Sequence, residues 1–471
     1  MTRFFKRRGS RRVLVLGLDC AAPELVFDQF NAELPTLRGL MQTGTWGRLE
    51  SSLPCITVPA WASMMSSRDP GVLGIYGFRN RADHSYNPMK VTDGSAVRVP
   101  RVWDYVSEAG RPSLLVGVPQ TYPARPLLNG YLVSDFMTPG TESAFTYPAI
   151  LKQEVLRVTP NYTFDVGDFR TPDKDALWQR LIDMTEAQYR LLCHLMTGKA
   201  WDFAMHVNIG TDRVHHGFWR YHDSTHRLYE AGNPYENYIR DYYKLVDERL
   251  AEVIELAGDD VTVLVVSDHG VRRLDGGICL NEWLWRNGWL TLKTPPQAGE
   301  LTTLENADVD WAQTRAWGSG GYYGRVFLNV EEREPQGIIP AEQYEATRNK
   351  LAAALAAIIG PNDQALDTKV FKPQEIYEQV NGIAPDLLVY FGDLHWRAVG
   401  TFGHGAHFTL ENDTGPDDTN HAPHGIFILN EPGKRGAGNV DGHQLMDIAP
   451  TLLRRLGIDV PREMQGREIE T

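Results

Sequence analysis

The chain has 471 residues, 42% hydrophobic and 23% charged, with 47 Lys and Arg against 60 Asp and Glu and a formal charge of −13. That composition supports a large folded core and excludes a wholly disordered or membrane-embedded chain. The acidic balance argues against a nucleic-acid polymer as partner.

Residues 1–12 carry Arg3, Lys6, Arg7, Arg8, Arg11 and Arg12 and read as a solvated, flexible basic tail. The apolar run 13–18 that follows is too short for a secretory signal and ends in Asp19, so it reads as the first buried strand. Residues 21–30 and 35–40 are expected to be short helices, 44–49 extended, 60–66 an apolar helix, 101–109 a helix closed by Gly110, and 113–118 another buried strand. Two long helices stand out. Residues 173–196 carry Leu177, Leu181, Met184, Leu191 and Leu195 at near-helical spacing, and residues 235–257 carry Ile239, Tyr242, Val246, Leu250 and Val253. Each precedes an apolar strand, 201–207 and 261–266, the rhythm of a largely parallel sheet with helices on both faces.

From residue 275 to 340 glycines and prolines break any long period. The segment 275–379 therefore reads as an insertion that caps the site, with a strand at 324–330 and an alanine-rich helix at 341–359. The core comprises 13–274 and 380–471, the latter with strands at 386–390 and 425–429 and a closing helix at 445–456. Cys20, Cys55, Cys193 and Cys279 form no CxxC pair, which indicates neither a disulfide framework nor a thiolate zinc site and suggests a cytoplasmic location. No span long enough to integrate into a membrane is expected, and the oligomeric state is not legible.

Four strings carry chemistry. Asp19 follows the first strand in GLDC, at the carboxyl edge where an open α/β sheet binds ligands; capping of the next helix is the competing role. Thr57, in CITVPAW between Pro54 and Pro59, stands near a helix N-terminus, where N–H groups favour an anion. Asp212 and His216 in TDRVHH are four apart, which puts both on one face and lets them share an ion if the stretch is helical, while His215 points elsewhere; a solvated polar turn is the competing role. Asp268 and His269 in SDHG end a very apolar strand, where two ionisable groups are costly without a partner, and a metal is the simplest one.

With these strings the chain resembles the alkaline phosphatase superfamily, in its type I phosphodiesterase/nucleotide pyrophosphatase branch and the predicted phosphohydrolase/phosphomutase group within it. Supporting strings are DRVHHGFWR, NEWLWRNGWL, TRAWGSGGYYGRVFLNV and APDLLVYF. The resemblance implies an alkaline-phosphatase-like α/β fold and two divalent metal ions, zinc by preference with manganese as substitute. Asp19, Thr57, Asp268 and His269 would surround one ion, and Asp212, His216 and a further histidine the other. His421 fits that last position, with His404, His407 and His424 as rivals. Thr57 would be the nucleophile of a small phosphodiester or pyrophosphate substrate, nucleotide-like or phospho-conjugated. Nucleotide pyrophosphatases hold a phosphate oxygen with an asparagine; the comparable stretch here, GIYGFRNR, offers Arg79 or Asn80, and Arg272 and Arg273 are further candidate contacts. An arginine there keeps phosphomonoesterase or phosphomutase chemistry open; a non-catalytic, metal-stabilised scaffold is the alternative of another class. Trp61, Tyr76, Phe78, Phe218 and Trp219 are expected to pack rather than to stack on a base.

Overall fold

The computed structural model describes residues 11–86, 89–126, 129–412 and 414–470. Arg3, Lys6, Arg7 and Arg8 of the expected tail lie outside the described residues. Arg12 is not tail: it opens the first strand, donates to the Ala257 carbonyl at 3.1 Å and stacks over Trp201.

Along the chain, strands β1 (Arg12–Leu18), β2 (Thr45–Glu50), β3 (Ser113–Val116), β4 (Gly130–Val133), β5 (Thr146–Tyr147), β6 (Phe203–Asn208), β7 (Val261–Val266) and β8 (His424–Asn430) build the central sheet. Their spatial order is β2-β8-β7-β1-β6-β3-β4-β5, with Gly438–Asn439 outside β2. The run from β7 to β4 is parallel, and β8 pairs antiparallel with both β7 and β2. Parallel strands covered on both faces need apolar side chains on both. In β1, Leu14, Leu16 and Leu18 pack with residues of α2 (Lys174–Gly198), α3 (Gly210–His222) and α4 (Tyr238–Ala257). The alternate Val13 and Val15 face Trp61, Met64 and Met65, and Leu452 and Leu453 of the closing helix Ile448–Leu456. The strand period of two thus feeds two separate apolar layers.

The helix expected at 21–30 is present over Glu24–Gln29 but in the wider π form, entered through Pro23 and followed by a 3-10 turn at Asn31–Glu33. The 341–359 helix is regular over Tyr344–Ala356. A larger difference concerns 386–390. Leu387–Tyr390 does not join the central sheet: it pairs with Gly324–Leu328 and Lys369–Phe371 in a four-stranded sheet that also holds Ala316–Ser319. Leu387 and Val389 pack with Leu280, Trp317, Phe327 and Leu351 in an apolar cluster of their own. Its opposite face, Leu388 and Tyr390, packs on Cys55 and Ile56, just ahead of Thr57. The chain returns toward the core at Thr419–Ala422, antiparallel to Gly270–Arg273, with His421 opposite Val271. No helix among the described residues is long and apolar enough to cross a membrane.

Gly17 permits the close approach of β1 to its neighbours. A Cβ there would lie 2.6 Å from Trp61 Cη2 and 2.7 Å from Val207 Cγ2. Gly17→Ala is therefore expected to cost about 1–3 kcal/mol through overpacking, read as a lower urea midpoint; an unchanged midpoint would contradict this packing account.

Candidate active site

The chemistry-bearing residues converge where the parallel strands end. Asp19 follows β1, and Asp268 and His269 follow β7, its direct neighbour. Asn208 closes β6 on the other side of β1, and its carbonyl accepts from the Asp19 N–H at 3.1 Å. The helix α3 starts two residues later and presents Asp212 and His216 on one turn, with His216 Nε2 3.3 Å from Asp212 Oδ1. His215, as expected, turns away, its Nε2 3.2 Å from the Tyr243 hydroxyl.

Two clusters result: Asp19, Asp268 and His269, and Asp212, His216 and His421. In each, one ligand atom from every residue lies within 4.8 Å of the others, and all six side chains are buried. His269 and His421 stack with centroids 3.9 Å apart and join the clusters. Among the rivals for the last position, His424 and His407 are exposed, and His404 engages the Thr401 hydroxyl at 2.7 Å.

The protons in both clusters point outward. His269 Nδ1 donates to the Gly270 carbonyl at 3.1 Å and His421 Nδ1 to the Cys55 carbonyl at 3.2 Å. His216 Nδ1 is 2.6 Å from Asp417 Oδ1. Each Nε2 lone pair is thereby turned inward. His269 Nε2 meets Asp268 Oδ2 at 3.1 Å and Asp19 Oδ1 at 3.8 Å; His421 Nε2 meets Asp212 Oδ1 at 3.7 Å. Asp19 Oδ1, Asp268 Oδ2 and Asp212 Oδ1 are buried and have no hydrogen-bond partner. Acceptors facing acceptors in a dry site are unfavourable unless a cation lies between them. The electrostatics of the first cluster agree: burial, then the Asp268 and Asp212 carboxylates, push the Asp19 carboxyl well above its ordinary range, and burial pushes Asp268 up to about 6. In the second cluster, against the burial of both groups, the Asp417 and Asp212 carboxylates raise His216 to about 9, and His216 in turn holds Asp212 well below its ordinary range, so without a cation the pair is held by a shared proton. Nitrogen and carboxylate donors without thiolate fit zinc or a similar divalent ion.

Thr57 is the first residue of α1 (Thr57–Ser66), three residues earlier than the sequence pattern suggested, and no side chain caps that terminus. Its Oγ1 lies 3.4 Å from His269 Nε2 and is buried beside the first cluster. From α1, Trp61 Nε1 donates to Asp19 Oδ2 at 2.8 Å, orienting the other carboxylate oxygen into the cluster.

Sequence reasoning missed the partners of His216. Asp417, its side chain buried, accepts the hydrogen bond from His216 Nδ1, and is itself held by Arg170 at 2.7 Å and the Tyr322 hydroxyl at 3.0 Å. Tyr322 also lies over His421, with centroids 4.6 Å apart. The signal was present as DDTNH, two acidic residues just ahead of the candidate histidine.

Beside Ile56 and Tyr322 opens a cavity of about 650 Å³. Arg79 lines it, as do Phe78, Arg170 and Arg325. Asn80 is occupied otherwise: its Oδ1 accepts from the Tyr76 N–H at 3.1 Å and its Nδ2 donates to the Gly74 carbonyl at 2.8 Å, bracing a turn. Arg272 is ion-paired with Asp393 and lines a different, smaller cavity, and Arg273 is paired with Asp275. Trp61, Tyr76 and Phe218 are core residues.

The model of the type I phosphodiesterase / nucleotide pyrophosphatase family matches residues 13–425. No curated protein matches the chain in sequence. Among solved structures the fold is similar to human ectonucleotide pyrophosphatase / phosphodiesterase 5, with TM-score 0.56, 12% identity and 97% of each chain covered. It is also similar to phosphonoacetate hydrolase from Sinorhizobium meliloti 1021 in complex with phosphonoacetate, with TM-score 0.60 and 16% identity over 95% of this chain and 96% of that one. An inactive variant of the murine counterpart of the human protein, in complex with AMP, aligns with TM-score 0.54 and 13% identity over 96% of both chains. The central sheet and its helices are thus alkaline-phosphatase-like, and the chain belongs to the type I phosphodiesterase / nucleotide pyrophosphatase family of phosphate-ester hydrolases.

Proposed function

We propose that the protein hydrolyses a phosphodiester or pyrophosphate bond of a small nucleotide-like or phospho-conjugated molecule, through a covalent intermediate on Thr57 and with two divalent ions, zinc by preference. One observation carries this reading: a buried threonine hydroxyl at a helix N-terminus stands 3.4 Å from a cluster of inward-facing acceptors, with a second such cluster adjoining it. Asp19, Asp268 and His269 would hold one ion and Asp212, His216 and His421 the other. When bound, such ions neutralise the phosphate and make a neutral hydroxyl competent as a nucleophile.

The rest falls to the chain. Thr57 Oγ attacks phosphorus as its proton is lost to solvent water, and the leaving oxygen departs on the opposite side with the bonding electrons and takes up a proton from solvent, leaving the remaining phosphoryl group on Thr57. The N-terminus of α1 points its free N–H groups at the phosphoryl oxygens. Water then attacks the same phosphorus, and Thr57 regains its hydroxyl. Asp417 keeps His216 in the tautomer whose Nε2 faces inward, and Trp61 does the corresponding service for Asp19.

Turnover of bis-p-nitrophenyl phosphate against p-nitrophenyl phosphate by zinc- or manganese-loaded protein tests the reaction class. Faster, Thr57-dependent diester cleavage is expected; Thr57-dependent cleavage of the monoester alone would move the assignment to a phosphatase or mutase. The arginines of the adjoining cavity are what favours that second reading. Asp417→Asn should weaken metal retention about 10- to 100-fold by removing the partner that orients His216, measured by competition with a chelator; unaltered retention would remove Asp417 from the account.

A further inference from the structure

Two guanidinium groups in the cavity that Ile56 lines form no ion pair among the described residues. Arg325 is only 9% exposed, on the strand Gly324–Leu328, and it donates to the Arg79 carbonyl and, at 2.8 Å, to Ser319 Oγ. Neither Arg325 nor the exposed Arg79 has a carboxylate partner among the described residues, whereas Arg81 and Arg170 in the same wall are paired with Glu334 and Asp417. A buried cation without an anion is costly, and two of like charge side by side more so. Burial and the nearby Arg79 hold the Arg325 guanidinium below its ordinary range. In a chain of net charge −13, with carboxylates in excess, leaving this pair unneutralised is a local feature that favours an anion.

The position is informative. Tyr322 lies against His421 of the second cluster, and Arg325 is three residues further along the same segment, so their Cα atoms are at most about 11 Å apart. Ile56, next to Thr57, lines the same cavity. A small molecule whose reacting phosphorus sits at Thr57 therefore has Arg325 within reach of its other end.

We propose that Arg325 and Arg79 bind a second anionic group, a carboxylate or a phosphate, on the part of the substrate remote from the scissile bond. The substrate class is then a phosphodiester or pyrophosphate with an anionic tail rather than one recognised chiefly by a neutral base or alkyl group. This rests on the reading of Thr57 as the reacting centre, although the anion site itself does not.

The test compares p-nitrophenyl ethyl phosphate with its 2-carboxyethyl and 2-phosphoethyl analogues, in metal-loaded wild type, Arg325→Met and Arg79→Met. Wild type should favour one of the two anionic analogues by tenfold or more in kcat/KM, mainly through KM, and which one identifies the group. The preference should fall to about twofold or less in either variant, with Arg325→Lys recovering part of it. Equal rates on all three esters in wild type, or a preference that survives both methionine variants, would overturn the proposal. Exposed Arg79 keeps the test valid where Arg325→Met fails to fold. Calorimetric titration of succinate and methylphosphonate, neither of which has a phosphate ester or anhydride bond, into wild type and Arg79→Met reads the anion site without turnover. Weaker binding of either anion by the variant supports the site even where no ester is cleaved, and equal binding of both contradicts it.

Discussion

Thr57→Ala should lower diester turnover by at least about 10³-fold while leaving the protein folded. The substitution removes the hydroxyl and one buried γ-methyl, and the hydroxyl does not cap α1, whose start at Thr57 has no side-chain cap. Among the described residues the hydroxyl meets only His269 Nε2, at a long 3.4 Å, so with the methyl included the stability change should stay within about 1–2 kcal/mol. Thr57→Ser keeps the oxygen and should retain activity well above the alanine variant. Steady-state rates on bis-p-nitrophenyl phosphate beside thermal melts check both halves. An alanine variant that keeps wild-type turnover would exclude Thr57 as nucleophile, and one that is unfolded would locate the role of the hydroxyl in structure.

The second large effect concerns the ions. Asp268→Asn preserves volume but removes charge from a carboxylate whose Oδ2 faces His269 Nε2 at 3.1 Å without a hydrogen bond and whose Oδ1 accepts from the Cys20 N–H, at 3.1 Å. Metal content should fall from two ions per chain toward one, and turnover by about 10²- to 10³-fold, equivalent to the several kcal/mol that such an ion contributes to a phosphoryl transition state. Elemental analysis after dialysis gives the stoichiometry. Unchanged metal content would contradict the first cluster as a binding site. Asp212→Asn offers the parallel test of the second, with the difference that Asp212 also pairs with Arg213.

The strongly periodic and strongly apolar parts of this fold were legible in the sequence. β1, β7 and the long helices α2 and α4 are continuous patterns whose period matches the structure. The strand at 387–390 was legible as a strand but not as to its partner, because a short buried run carries no information about which sheet it joins. The π form at Glu24–Gln29 was read as ordinary helix because apolar spacing cannot distinguish hydrogen-bond registers.

The site followed a similar division. Asp19, Asp268 and His269 adjoin strand ends, and Asp212 and His216 share a helix turn, so their convergence follows from a parallel sheet. His421 depended on a distant strand pairing, Thr419–Ala422 with Gly270–Arg273, which only tertiary structure reveals. Asp417 left a signal in DDTNH, but its pairing with His216 depends on the same strand return; Tyr322 and Arg325 left none, because they come from a segment more than 50 residues past Asp268 and reach the site through tertiary packing. Asn80 and Arg272 have suitable chemistry but are already satisfied by Gly74 and Asp393.

The most direct test of the covalent route is stereochemical. One stereoisomer of a chiral phosphorothioate diester should be hydrolysed in ¹⁸O-labelled water by the metal-loaded enzyme, and the configuration at phosphorus in the product determined. Two in-line displacements, first by Thr57 and then by water, give overall retention regardless of which step is slower. Inversion would mean a single displacement by water and would contradict the threonine intermediate.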